Sequence, residues 1–133
     1  MTAIASATDK LVVSLNISGH ALHAEVAYTP TSRAKGLMHR DSLDENNGML
    51  FVFPNADRYS MWMLNTKIPL SVAFIDDKGM ILNIENMRPY TKTAHTSAGL
   101  AKYALEMNQG WFHARGINAG EKVVGLSRAP AAR

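Results

Sequence analysis

Leu11-Val12-Val13-Ser14-Leu15-Asn16-Ile17, then Ser18-Gly19, then His20-Ala21-Leu22-His23-Ala24-Glu25-Val26-Ala27-Tyr28: this stretch decides the fold class. Leu11, Val13, Leu15 and Ile17 fall at every second position, with Val12, Ser14 and Asn16 between them. That is the period of a half-buried strand, not of a helix. Ser18-Gly19 is a two-residue turn signal, after which Leu22, Ala24, Val26 and Tyr28 resume the inward face and His23 and Glu25 point outward. The stretch predicts a β-hairpin.

Beyond the hairpin, Thr29-Pro30 supplies a helix N-cap and a first-turn proline, and Ala34, Leu37 and Met38 follow at helical spacing, so a short helix is expected to about Arg40. Gly36 inside it would cost about 1 kcal/mol relative to alanine, which implies close packing against a neighbouring backbone. Asp44 to Gly48 reads as a loop, and Met49 to Phe53 as an apolar strand stopped by Pro54. Arg58 to Leu64 is apolar or aromatic on both faces and reads as a central strand. Val72 to Asp76 and Met80 to Glu85 form a second hairpin through Asp77-Lys78-Gly79, and the polar stretch 86–99 a long loop. Tyr103, Leu105 and Met107 give the inward face of a further strand. Trp111 to Arg115 makes a short helix ended by Gly116, and a last strand lies near Lys122 to Leu126.

About seven short strands with two short helices predict a mostly β fold, a compact antiparallel barrel or sandwich. A parallel α/β fold is not expected, because the helices are too few and short to serve as crossovers.

The 133 residues, 47% hydrophobic and 19% charged, fit one globular domain over residues 10–127, preceded by a disordered or extended segment 1–9 and followed by a frayed tail 128–133. A net charge of +3 is spread among interleaved acids such as Asp41, Asp44, Asp76 and Asp77, which is solvated-surface charge and not a nucleic-acid footprint. With no cysteine, thiol chemistry and disulfides are excluded. No apolar run reaches the ~18 residues of a membrane span. The start has no basic n-region, yet its small residues, Ala3, Ala5, Ser6 and Ala7, look like those left just after a signal peptide has been cut away. A periplasmic or extracellular mature domain is the expectation, with a cytoplasmic one as the alternative.

Familiar catalytic motifs are missing. His20 and His23, three apart on a strand, fall on opposite faces, and His39, His95 and His113 have no partner at a zinc-ligand offset, so neither metal nor cofactor is expected. There is no GxSxG elbow and no phosphate or dinucleotide loop. Glu106, Asp76 and Glu85 come from different strands and are the candidate catalytic carboxylates for glycan hydrolysis, which needs two such groups about 5 Å or about 6.5–9.5 Å apart. On the short helix, Arg33, Gly36 and Arg40 at i, i+3 and i+7 share a face, so two guanidiniums would project over one patch suited to a carboxylate or phosphate. The plainer alternative pairs each arginine with an acid such as Glu106. Trp62, Asn65 and Thr66 end the expected central strand, where an indole and an amide would complete a polar pocket, or where Asn65 would simply cap a turn.

Three blocks, Arg33-Ala34-Lys35-Gly36-Leu37-Met38-His39-Arg40, Gly48-Met49-Leu50-Phe51-Val52-Phe53-Pro54 and Trp62-Met63-Leu64-Asn65-Thr66-Lys67-Ile68-Pro69-Leu70, resemble in order the family called domain of unknown function 192. The resemblance runs from about Leu22 to Val124 and matches the family at Arg33, Gly36, Arg40, Trp62, Asn65, Thr66, Pro69 and Glu106. It implies a compact, largely β fold, and no reaction comes with it. Ser71 stands where the family pattern has Asp.

The leading expectation is a binding module that holds a small polar or anionic ligand, sugar-like or carboxylate-like, through Arg33, Arg40, Trp62, Asn65, Thr66 and Glu106. The alternatives are a hydrolase on glycans and a structural or protein-interaction domain with its arginines internally paired.

Overall fold

The computed structural model describes residues 10–133; the segment 1–9, expected to be disordered or extended, lies outside the described residues. Strands β1 (Val12–Ile17) and β2 (His20–Ala27) form the expected hairpin, with Ile17 opposite His20 and Val12 opposite Glu25. Ser18 and Gly19 both take positive φ, 51° and 87°, as a two-residue hairpin turn with the right twist requires.

Helix α1 (Pro30–Lys35) opens with a capping box. The Ser32 N–H donates to Thr29 Oγ1, and the Thr29 N–H to Ser32 Oγ, both at 3.1 Å. The helix ends at Gly36 instead of reaching Arg40, because Gly36 turns the chain at φ 50° and ψ −132°. A Cβ there would also lie 3.3 Å from the Phe51 ring, so the close packing expected at this glycine is against a side chain and not a backbone.

Strand β3 (Asn47–Asp57) continues past Pro54, which sits where the register against its neighbour lapses between Val52 and Asp57. The remaining strands are β4 (Ser60–Met61), β5 (Leu70–Ile75), β6 (Ile81–Met87), β7 (His95–Thr96), β8 (Ala101–Asn108) and β9 (Val123–Val124), with helix α2 (Trp111–Ala114) after β8. Seven of the nine described strands form one sheet in the order β6-β5-β8-β3-β2-β1-β9, curled into a half-barrel, and β4 pairs with β7 separately. The fold is mostly β with two short helices, as expected. Every pairing in the main sheet is antiparallel except β2 with β3, which run parallel. The intervening segment, which contains α1, is the crossover that the short helices were expected not to provide.

The stretch from Arg58 to Leu64 is not a central strand. Only Ser60 and Met61 pair, in the small ribbon, and the centre of the main sheet belongs to β8 between β5 and β3. Its apolar side chains lie over the sheet: Tyr59 stacks on Phe53 with ring centroids 3.7 Å apart, and Met63 is buried.

The sheet buries both faces. Leu15, Leu22, Leu50, Leu105 and Met107 pack with Trp111 and Phe112 of α2 on one side. On the other, Met49, Phe51, Val72 and Phe74 lie beneath Leu37, Met63 and Ile68 from the α1 and 58–69 segments. Each such side chain contributes about 1.5–3 kcal/mol on burial. Residues 128–133, expected to fray, run back over the hairpin: Arg128 donates to the Ser14 carbonyl at 2.8 Å and the Arg133 N–H to that of Tyr28 at 2.8 Å. Among the described residues no helix is long and apolar enough to cross a membrane.

Candidate functional site

Strand β8 alternates, so Leu105 and Met107 point to the α2 side and Ala104 and Glu106 to the α1 side. Glu106 therefore sits in a row with Met49 of β3 and Val72 of β5, at the middle of the sheet and 4% exposed. Above it is a cavity of about 140 Å³. One wall is the end of α1 and the turn after it, with Arg33, Lys35, Gly36, Leu37 and Met38; the other is Ser60, Met61, Trp62 and Thr66; Phe51 and Glu106 complete the lining.

The Glu106 side chain makes no hydrogen bond or ion pair among the described residues. Nor is either carboxyl oxygen sealed away, since no fully enclosed side-chain polar atom there lacks a partner. The carboxyl group thus meets the cavity. Burial pushes its pKa up to about 8, because removing water penalises the carboxylate and no cation compensates. At neutral pH it is a carboxylic acid, a hydrogen-bond donor.

Thr66 is buried beside it and donates its hydroxyl to the Leu64 carbonyl at 2.9 Å, leaving its lone pairs toward other groups. Trp62 is 49% exposed at the cavity wall. Arg33 projects from the last turn of α1, where Nη1 donates to the Val52 carbonyl at 3.2 Å and Nη2 to that of Arg133 at 2.7 Å. These two bonds fix the orientation of the guanidinium of Arg33, a residue of the cavity wall.

Two residues expected here are elsewhere. Arg40 does not share a face with Arg33, because the helix has already ended; its guanidinium forms a two-pronged pair with Glu25, Nη2 to Oε1 at 2.8 Å. That pair lies in a second hollow of about 520 Å³ beyond Gly36, which also holds Lys10, 3.8 Å from Glu25. Hydrogen bonding from Arg40 holds Glu25 below its ordinary pKa, and the same bond raises that of Arg40. Asn65 does not line the cavity; it turns the chain at φ 52°, and its carbonyl accepts the His39 N–H at 3.0 Å. Asparagine tolerates that left-handed backbone, so its role is the turn.

Of the three carboxylates proposed for hydrolysis, only Glu106 lines the cavity. Asp76 Oδ1 accepts the N–H groups of Lys78 and Met80, both at 2.9 Å, and closes the β5–β6 turn. Glu85 lies on the far side of Val72 from Glu106 in the cross-strand row and faces His95 at 3.6 Å. Neither lines the cavity of Glu106. Ser71 points to the opposite face, donating to Asn86 Oδ1 at 2.6 Å and accepting the Gly110 N–H at 3.0 Å. Among the described residues no three His, Asp or Glu side chains gather as metal ligands.

Lys35, Leu37, Met38, Phe51 and Met61 were not foreseen as lining. Their signal was weak: Phe51 and Met61 read as plain core, and only the broken helix at Gly36 turns Met38 toward the space.

Two solved structures resemble this one closely. A candidate transcription regulator from Sinorhizobium meliloti 1021 superposes with a TM-score of 0.85 at 33% identity, covering 89% of this chain and 96% of the other. A protein of unknown function from Novosphingobium aromaticivorans DSM 12444 does so with 0.82 at 33% identity, covering 92% and 98%. No curated protein matches the chain at a significant level. A family model described as an uncharacterized ACR, domain of unknown function 192, matches residues 13–125. Because that match spans most of the chain, the protein belongs to the domain of unknown function 192 family.

Proposed function

We propose that the protein is a binding module for a small polar ligand, held in the cavity between α1 and the Met61 to Thr66 segment. One observation carries the reading: Glu106, at the centre of the sheet, presents a carboxyl group without a protein partner to a lined cavity. A buried polar group left unpaired costs about 1–3 kcal/mol, and a fold keeps such a group where something else satisfies it. Trp62, Arg33 and Thr66 supply an apolar face and polar contacts around it, the usual composition of a ligand site.

The hydrolase alternative has no second carboxylate in this lining, and the arginine-paired structural reading applies to Arg40 but leaves Glu106 unexplained. The Sinorhizobium relative is described as a candidate regulator, but helices α1 and α2, of six and four residues, are too short to serve as recognition helices in a DNA groove. An extracytoplasmic setting, suggested by the small-residue start, remains part of the proposal and is tested by fractionating cells that express the full-length gene product.

The test is a titration of methyl-labelled protein with benzyl alcohol, benzamide and benzoate, monitored by NMR. Shifts centred on Leu37, Met38, Met61 and Thr66 are expected. Shifts that fall only elsewhere, or none with any of the three, would contradict the binding reading.

A further inference from the structure

Resting on that reading, we infer that the ligand is a small carboxylate with an apolar, ring-sized stem, one oxygen accepting a hydrogen bond from the Glu106 acid and the anion facing Arg33 and Lys35.

Three observations on the lining lead there. Its charged groups are Arg33 and Lys35, and Glu106 is its one acid. Those two cations come from the α1 wall; the neighbours of Glu106 from β3 and β5, Met49 and Val72, and the residues of the other wall, Ser60, Met61, Trp62 and Thr66, carry no charge. The side-chain acceptors are the hydroxyls of Thr66 and Ser60, each already in a hydrogen bond, and the one carbonyl oxygen of the protonated Glu106. A sugar, whose hydroxyls each need a donor and an acceptor, would leave many of them unmatched. A carboxylate is acceptor-only and matches a donor-rich, cationic lining. Between the polar ends, Leu37, Met38, Phe51 and Met61 form apolar walls, and about 140 Å³ is close to the ~150 Å³ that takes a benzene ring.

Glu106 also makes the site sensitive to pH. While the acid holds its proton it donates to the ligand; once ionised it repels the same oxygen across a few ångströms of apolar space. Because its folded pKa is about 8, this change falls within a range where a benzoate-like ligand is already fully anionic. Arg33 and Lys35 alone would attract a carboxylate with no such break, so the pH profile separates the contribution of Glu106 from general cationic attraction.

The experiment measures the affinity of benzoate and of benzamide, its neutral isostere, from pH 6.5 to 9.5, with circular dichroism confirming the fold at each pH. At pH 6.5 benzoate is expected to bind at least tenfold more tightly than benzamide, and its affinity to fall about tenfold per pH unit above pH 8. The Glu106→Gln variant keeps a neutral donor, so it should retain benzoate binding and lose the pH dependence. Equal or tighter benzamide binding, or a flat benzoate profile in the unmutated protein, overturns the carboxylate assignment and leaves the pocket reading standing. Failure of both probes to perturb the cavity at any pH overturns the two together.

Discussion

Gly48 of β3 lies directly beside the backbone of Glu106 on β8: a Cβ at position 48 would come 2.4 Å from the Glu106 carbonyl oxygen and 2.3 Å from Met107 Sδ. The methionine could swing aside, but the carbonyl is fixed in the sheet. This contact sets how closely β3 and β8 approach, and so the height of the Glu106 carboxyl beneath α1.

Gly48→Ala should therefore destabilise the protein by about 1–3 kcal/mol, the range for forcing extra volume into packed structure. Urea denaturation measures it. A variant as stable as the parent would mean that the two strands can separate there at little cost.

Glu106→Gln tests the buried acid through stability alone. In the unfolded chain Glu106 ionises near pH 4.5, whereas in the folded protein it holds its proton to about 8. Between those values the folded state binds the extra proton, so stability falls as pH rises, by about 1.4 kcal/mol per pH unit from this group, and is level above pH 8. The glutamine variant should lack this slope and be the more stable protein at pH 8.5. Chemical denaturation of both proteins at pH 5.5, 7 and 8.5 reads the difference directly.

The fold was legible in the sequence wherever one face of an element meets water. The first hairpin shows a clean alternation because Ser14, His23 and Glu25 stay outside while Leu15, Leu22 and Ala24 go in. The second hairpin announced itself through Asp77-Lys78-Gly79. Where both faces are buried the alternation vanishes, and Tyr59, Met61 and Met63 imitated a central strand although they pack over the sheet. The true centre, β8, showed only the inward face of Tyr103, Leu105 and Met107, and Glu106 on its other face gave no sign of burial. Gly36 misled in another way: sequence spacing cannot distinguish a glycine inside a helix from one that ends it at positive φ, and this error joined Arg40 to Arg33. The cavity residues from two separate walls were only partly legible, since what brings Thr66 to Glu106 is the pairing of β8 with β3 and β5, a long-range relation.

Arg40→Ala separates the two hollows. It removes a two-pronged pair whose partner, Glu25, sits below its ordinary pKa because of the Arg40 hydrogen bond. The stabilisation from that pair is present above the unfolded carboxylate pKa and is lost as pH falls through the lower folded value. The variant should lose about 1 kcal/mol at pH 7 and show less additional acid loss than the parent. Benzoate binding should be unchanged, since Arg40 does not line the cavity of Glu106; a fall of tenfold or more would place Arg40 at the site after all.

Ser71→Ala probes the position where the family pattern has Asp. Ser71 is 1% exposed and ties the Gly110 N–H, just before α2, to Asn86 of β6. Removing its hydroxyl leaves both partners short, at about 1–3 kcal/mol by thermal or chemical denaturation. Ligand affinity should not change, because the side chain points to the sheet face opposite Glu106; altered affinity with unchanged stability would reverse that assignment.

The most direct measurement is the titration of the Glu106 side-chain carbonyl carbon, monitored by carbon-13 NMR and assigned by comparison with Glu106→Gln. A midpoint near pH 8 is expected of a carboxyl group largely withdrawn from water and without a protein partner at the floor of the cavity. A midpoint in the ordinary range, about 4 to 4.5, would mean that water or a cation already serves it, and the ligand site argued from its isolation would have no basis.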